Sequence, residues 1–231
     1  MLIQFIILIA AAYFLGSIPT AYLVAKWRRG IDIRQYGSGN VGASNVMAVV
    51  SRRWSIAVSI FDIGKGALMV WAAQQLGLGV AQQAIVGIAA IIGHDWTVFL
   101  HFQGGRGISV SLGVITLLAP RVGLIALVIP NLVFAPFRQQ PLGVTLTLVA
   151  LPVISLFLSQ PLDIKEPVAV SLSFLAILLI ALLRRLTAPK SPLSASVPKG
   201  ELIINRLLFD RDIKDREAWI RQTRPQAKSS K

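Results

Sequence analysis

Long apolar runs separated by short polar stretches set the pattern of this chain. Residues 2 to 25 are mostly apolar, with a break at Gly16-Ser17-Ile18-Pro19. Residues 26 to 53 are polar and hold six of the Lys and Arg residues. Apolar character returns from Trp54 to Leu76, turns at Gly77-Leu78-Gly79, and resumes from about Ala81 to Leu100. The run from Ile108 to Phe137 is punctuated by Ala119-Pro120-Arg121, so it divides into two helices, the first shorter than a full span. Two more runs follow, Leu142 to Leu158 and one that ends at Arg184-Arg185. Apolar runs of about 18 residues or more read as membrane spans. The pattern therefore predicts an all-α integral membrane protein with about seven transmembrane helices. The break before Pro19 is tolerable where neighbouring helices satisfy the freed carbonyls.

Charge orients these spans. Loops 26–53, 101–107 and 138–141 and the C-terminal tail hold nearly all the cations, and the opposite side has only Arg121 and Lys165. The positive-inside rule then puts the N-terminus outside and the C-terminus in the cytoplasm. Basic residues follow the first run, at Lys26, Arg28 and Arg29, and none precedes it, which argues against a cleaved signal peptide. Beyond residue 186 the composition changes. Residues 187–200 read as a Pro-, Ser-, Ala- and Lys-containing linker, and ELIINRLLFDRDIKDREAWI as an amphipathic helix. That helix is expected on the inner membrane surface or against a cytosolic partner. The division expected is a membrane domain over 1–186 and a basic cytoplasmic linker and helix over 187–231.

Composition agrees: 55% of residues are hydrophobic, 14% are charged and the mean hydropathy is +0.68. There is no cysteine, so disulfides and thiolate zinc sites are excluded. A net charge of +13 raises the question of nucleic acid. No nucleic-acid module accompanies it, and the cations lie beside apolar segments, as anchoring to anionic lipid requires.

Two glycine-rich stretches carry the candidate chemistry. Gly37-Ser38-Gly39-Asn40-Val41-Gly42-Ala43-Ser44-Asn45 combines backbone freedom with hydroxyls and amides and has no carboxylate. Such a run can turn N–H groups inward as an anion nest. It formally contains GxGxxG, with Asp62 twenty residues on, but a dinucleotide fingerprint needs a strand before it within a βαβ unit, whereas a membrane helix precedes this run and Asp62 falls inside the next one. The alternative is an ordinary turn, for which nine such residues are more than needed. Gly104-Gly105-Arg106-Gly107 opens a helix, where free N–H groups and a guanidinium suit phosphate; a plain entry turn would look the same. Asp62 and Lys65, three apart within a span, are expected to pair on one helix face as a structural charge pair. His94, Asp95 and His101 precede the second loop, but nothing backs them as a metal site, and His94 reads as a hydrogen-bonded histidine or a general base.

Taken together, AYFLGSIPTAYLVAKW, GSGNVGASN, FDIGKGA and GHDWTVFLHFQGGRG resemble, in order and spacing, the acyl-phosphate:glycerol-3-phosphate acyltransferases, the PlsY family of bacterial membrane enzymes. The resemblance covers about residues 10 to 115 well and the rest loosely. It implies a seven-span fold with a cytosolic site. The implied reaction moves a fatty acyl group from acyl phosphate to glycerol 3-phosphate, giving lysophosphatidic acid. Ser38 matches the first-motif serine, with Asn40, Gly42 and Asn45 in place. Gly104, Gly105 and Gly107 match the second-motif glycines, Arg106 stands for a usual lysine, and His94 heads that motif. The implied catalytic residues are Ser38, His94 and Arg106. Gly37, Ser38, Gly39, Asn40, Gly42, Asn45, Gly104, Gly105, Arg106 and Gly107 are the phosphate-binding candidates.

Ala48 stands where the family has an arginine, and Gly200 and Ile203 stand where its third motif has His and Asn. If residues 45–54 form one helix, Arg52 lies one turn beyond Ala48 and supplies the missing cation. No cofactor and no metal are implied. The expected partners are acyl phosphate, glycerol 3-phosphate and membrane lipid, with neither nucleic acid nor an obligate protein partner, at a bacterial cell membrane. A non-catalytic homologue that binds lipid precursors and an anion transporter are the rival readings.

Overall fold

The computed structural model describes residues 2–189 and 191–222, all of whose regular elements are helical. The helices begin with α1 (Leu2–Ser17), α2 (Thr20–Arg29), the short α3 (Ala43–Val49), α4 (Arg52–Gln75) and α5 (Val80–Asp95). They continue with α6 (Ile108–Leu118), α7 (Pro120–Val128), α8 (Gln140–Phe157) and α9 (Pro167–Leu186). Two more helices follow among the described residues, α10 (Lys199–Phe209) and α11 (Arg216–Gln222). Among the described residues, five segments are long and apolar enough to cross a membrane: Leu2–Arg29, Arg52–Gln75, Val80–Leu100, Gln140–Phe157 and Pro167–Leu186. Two shorter apolar segments, Ile108–Leu118 and Pro120–Phe134, lie between the third and fourth of these. Pro120 begins the second short segment at its first helical position, where its missing N–H costs nothing.

Small residues set the closest helix contacts, as expected where lipid and side chains are equally apolar. A Cβ added at Gly16 would lie 2.1 Å from the Ala90 carbonyl oxygen, and one at Gly93 would lie 2.1 Å from that of Tyr13. α1 and α5 therefore touch along their backbones. α4 and α6 do the same, where a Cβ at Gly66 would come within 2.2 Å of Val110 O and one at Gly113 within 2.1 Å of Ile63 O. Around these contacts Val70, Val86, Val114, Ile115, Leu151, Phe174 and Ile177 form a buried core. Large apolar side chains such as Ile3, Ile60, Leu124, Leu132 and Phe157 face outward, where bilayer lipid is their natural partner. At the break between α1 and α2 the freed carbonyls find side-chain donors from elsewhere in the fold: Ser17 O accepts from Thr97 Oγ1, in the turn after α5, and Ile18 O from Lys65 Nζ in α4.

Two expectations need correcting. Residues 45–54 are not one helix, because α3 ends at Val49 and Ser51 takes an extended φ of −172° to cap α4, accepting from Trp54 N at 3.4 Å. Likewise, residues 201–220 are not one amphipathic helix. Asp210 turns left-handed at φ 54°, ending α10, which packs on α8 and α9. The reason lies in the charges of that segment, which pair inward. Arg206 Nε meets Asp212 Oδ1 at 2.7 Å, and Arg206 Nη1 donates to Leu186 O at 2.8 Å and Ala188 O at 2.9 Å. A segment that satisfies helix-end carbonyls of its neighbours gains more than one lying free on headgroups. The remainder of the expected tail, residues 223–231, lies outside the described residues.

Candidate functional site

The first glycine stretch is held by one amide. Asn45, 1% exposed, sits in the first turn of α3 and reaches back into the loop that precedes it. Its Nδ2 donates towards Ile33 O at 3.2 Å, Tyr36 O at 2.9 Å and Asn40 O at 3.0 Å, and its Oδ1 accepts from Ser38 N at 3.0 Å. Such a hub works only if the chain comes very close. A Cβ at Gly37 would lie 2.1 Å from Asn45 Oδ1, and Gly37 takes φ 60°. Ser38 Oγ accepts from Asn40 N at 3.4 Å. At the start of the loop Asp32 accepts from Arg34 N at 3.0 Å and forks Arg34 through Nε and Nη2. These Arg34 hydrogen bonds hold the Asp32 carboxyl below the usual aspartate range. Asn45 was expected to bind phosphate directly, but its amide is spent inside the loop.

The second stretch folds back on the end of α5. Gly104 N donates to Asp95 O at 3.2 Å and Gly105 N to His94 O at 3.0 Å. A Cβ at Gly104 would lie 2.0 Å from His94 O, and one at Gly105 would lie 2.1 Å from His94 Nε2. The carbonyls of Gly105 and Gly104 accept from Arg184 Nε and Nη2, each at 2.8 Å. The expectation that these two glycines cradle an anion is corrected: their N–H groups are already bonded, and close packing explains the glycines. Gly107, at φ 68°, starts α6 against the Asp95 carboxylate, whose two oxygens are buried without a hydrogen-bond partner.

Both stretches border one cleft of about 320 Å³. Asn40, Gly42 and Ser44 come from the first; Arg106, Gly107 and Ser109 come from the second and the first turn of α6. Asp62, His94, Arg185 and Asp210 complete a polar mouth, while Ile115, Leu127, Val144 and Leu148 line an apolar depth between α6, α7 and α8. Asp62 pairs with Lys65 at 2.8 Å, accepts from Thr20 Oγ1 at 3.0 Å and lies 3.9 Å from His94 Nδ1. Arg106 Nε lies 2.8 Å from Asp210 Oδ1.

Ser38, Gly37 and Gly39 shape the loop but do not line the cleft. Arg52 is exposed beyond the α3–α4 break and does not line it either, so it is no substitute for an arginine at Ala48. Sequence reasoning took Arg184 and Arg185 as membrane anchors and passed over Asp210. The polar Thr145 and Thr147 in the neighbouring apolar run were the available hint, since both are buried and Thr145 meets Arg185.

Fold and cleft define a class: a multi-pass helical membrane protein whose cleft joins a polar, charged mouth to an apolar depth. The sequence model of the glycerol-3-phosphate acyltransferase family matches residues 6–188. Glycerol-3-phosphate acyltransferase 4 of Dehalococcoides mccartyi strain CBDB1 is 48% identical over 94% of this chain and 93% of its own length. Glycerol-3-phosphate acyltransferase 5 of strain ATCC BAA-2266 of that species is 47% identical over 100% of this chain and 98% of its own. The crystal structure of the integral membrane acyltransferase PlsY in its glycerol 3-phosphate form superposes with a TM-score of 0.71 at 29% identity, covering 79% of this chain and 88% of that one. The lysophosphatidic acid form of PlsY gives 0.69 at 28%, with the same coverage. The chain belongs to the glycerol-3-phosphate acyltransferase family and is an acyltransferase.

Proposed function

We propose that the protein transfers a fatty acyl group from acyl phosphate to the first hydroxyl of glycerol 3-phosphate at a bacterial cell membrane, releasing lysophosphatidic acid and inorganic phosphate. The observation that carries this reading is the cleft itself. Its mouth offers Arg106, Arg185 and the start of α6 to phosphate, and its depth offers an apolar lining to an acyl chain. The shape suits a ligand with a charged head and a long tail, as the PlsY structure in the lysophosphatidic acid form holds.

Acyl phosphate already carries a good leaving group, so the protein must position two substrates and stabilise developing negative charge. The glycerol hydroxyl oxygen forms a bond to the acyl carbon while the bond from that carbon to the phosphate oxygen breaks. The hydroxyl proton passes to the departing phosphate. Arg106 steadies the charge on that phosphate, and His94, facing Asp62, orients the acceptor hydroxyl. Ser38 is a positioning residue that acts through Asn40. In this reading the chain crosses the membrane seven times, N-terminus outside, with the cleft mouth on the cytoplasmic side. Residues 1–186 form the membrane domain, and the described residues beyond it form a cytoplasmic cap over the mouth.

The test is transfer of label from glycerol 3-phosphate to lysophosphatidic acid by purified protein given acyl phosphate. Transfer from acyl-CoA alone would overturn the donor assignment. His94→Ala is expected to retain measurable activity. A loss of about a thousandfold together with loss of a titrating group from the pH profile would instead make His94 the base.

A further inference from the structure

Two arginines line the polar mouth and a third, Arg184, lies behind Arg106, and their donors are unequally used. Arg184 is committed, giving Nε and Nη2 to the Gly105 and Gly104 carbonyls at 2.8 Å. Arg106 gives Nη1 to Arg184 O at 3.2 Å. Its Nε lies 2.8 Å from Asp210 Oδ1, yet both atoms are buried without a hydrogen bond, so the pair has the distance and lacks the alignment. Arg185, only 3% exposed, lines the same cleft. Its Nη1 donates to Thr145 Oγ1 and Leu207 O, while its Nε has no acceptor. Arg106 and Asp210 line that cleft with it.

A buried guanidinium donor without an acceptor costs free energy, and native proteins seldom leave one so. Here two of them belong to arginines that line the cleft Asp210 also lines, and its carboxylate takes no aligned hydrogen bond from Arg106 Nε. What is missing is an anion with more oxygens in a tetrahedral array, able to accept from both guanidinium groups at once. The carboxylate that fills the gap is mounted on a turn that can yield. Asp210 holds the left-handed φ of 54° that ends α10, and bends follow it through residue 214. It also lies past residue 188, where the family match ends, and it lines the cleft.

We propose that Arg106 and Arg185 form a two-arginine phosphate site, and that Asp210 occupies it as a resident anion until a phosphate group displaces it. Arg185 then supplies, from α9, the cation that Ala48 in α3 does not. The proposal rests on the function proposed above for the identity of the substrate, though not for the anion chemistry of the site.

The test uses the full chain in detergent and inorganic phosphate as probe, reading binding from the phosphate dependence of thermal unfolding. Asp210→Asn keeps the shape and removes the charge, and it is expected to tighten phosphate binding roughly tenfold, as removal of a competing charged contact should. Arg185→Lys in the Asp210→Asn background is expected to reverse most of that gain, because an ammonium cannot replace the fork, while keeping the buried charge that the fold needs. Arg121→Gln, at the opposite end of the bundle, leaves phosphate binding unchanged. Unchanged or weaker phosphate binding in Asp210→Asn overturns the proposal, as does a double variant that binds like Asp210→Asn alone. If phosphate titrates as expected but no acyl transfer is found, the substrate assignment fails and the site stands. If transfer proceeds and Asp210→Asn leaves phosphate affinity untouched, the site fails and the function stands.

Discussion

Replacing Asn45 by Ala tests whether one buried amide shapes the substrate loop. The side chain accepts from Ser38 N and donates towards the carbonyls of Ile33, Tyr36 and Asn40, all at 2.9–3.2 Å. Alanine leaves one N–H and three carbonyls without this partner in a part-buried loop. An unsatisfied buried group costs about 1–3 kcal/mol, and water can reach some of these, so the loss is roughly 2–4 kcal/mol in total. That falls on the loop and not on the helix core, because α1, α4, α5 and α6 pack through contacts that Asn45 does not share. The bundle should therefore stay folded while Asn40 and Gly42 leave their places at the cleft mouth. We expect kcat/KM for glycerol 3-phosphate to fall by at least about tenfold, the equivalent of 1.4 kcal/mol, with gel filtration unchanged. Asn45→Asp should be worse than Ala, since it sets a second oxygen against three carbonyls. Gly37→Ala should mimic it, because the new Cβ would lie 2.1 Å from Asn45 Oδ1 at a left-handed φ. Wild-type kcat/KM in both Asn45→Ala and Gly37→Ala would refute the argument.

Arg52→Ala is expected to keep acceptor KM within about twofold of wild type, since exposed surface changes are small in effect; a large rise in KM would restore a role for that residue. The Asp32 carboxyl is held low by Arg34, so its contribution to loop stability is present above the unfolded value of about 3.9 and is lost as pH falls through its lower folded value. Activity should thus be insensitive to this pair between pH 5 and 8, and protease protection of the loop should fall only in stronger acid, a fall that Asp32→Asn already shows at neutral pH. Cysteines at Ala48 and Gly200 should be labelled from the cytoplasmic side only, and one at Gly79 from outside only. Labelling of positions 48 and 79 from the same side would refute the seven-span topology.

The amino-acid sequence by itself determined the helical membrane class, the breaks at Pro19 and Pro120, the Asp62–Lys65 pairing and the family. Each depends on local periodicity, on residues three or four apart, or on motifs read along the chain. What it could not decide were partners far apart in the chain. Gly104 and Gly105 looked like a phosphate cradle because nothing local says that α5 carbonyls and Arg184, about eighty residues on, consume the polar groups of that loop. Arg52 looked like a neighbour of Ala48 because a helix was assumed through Ser51, whose hydroxyl caps a new helix instead. Arg185 and Asp210 looked like anchoring and surface charges, and only the packing of α10 on α8 and α9 carries them to the cleft. Burial decides whether a polar group is spent or free, and burial is a property of the assembled bundle.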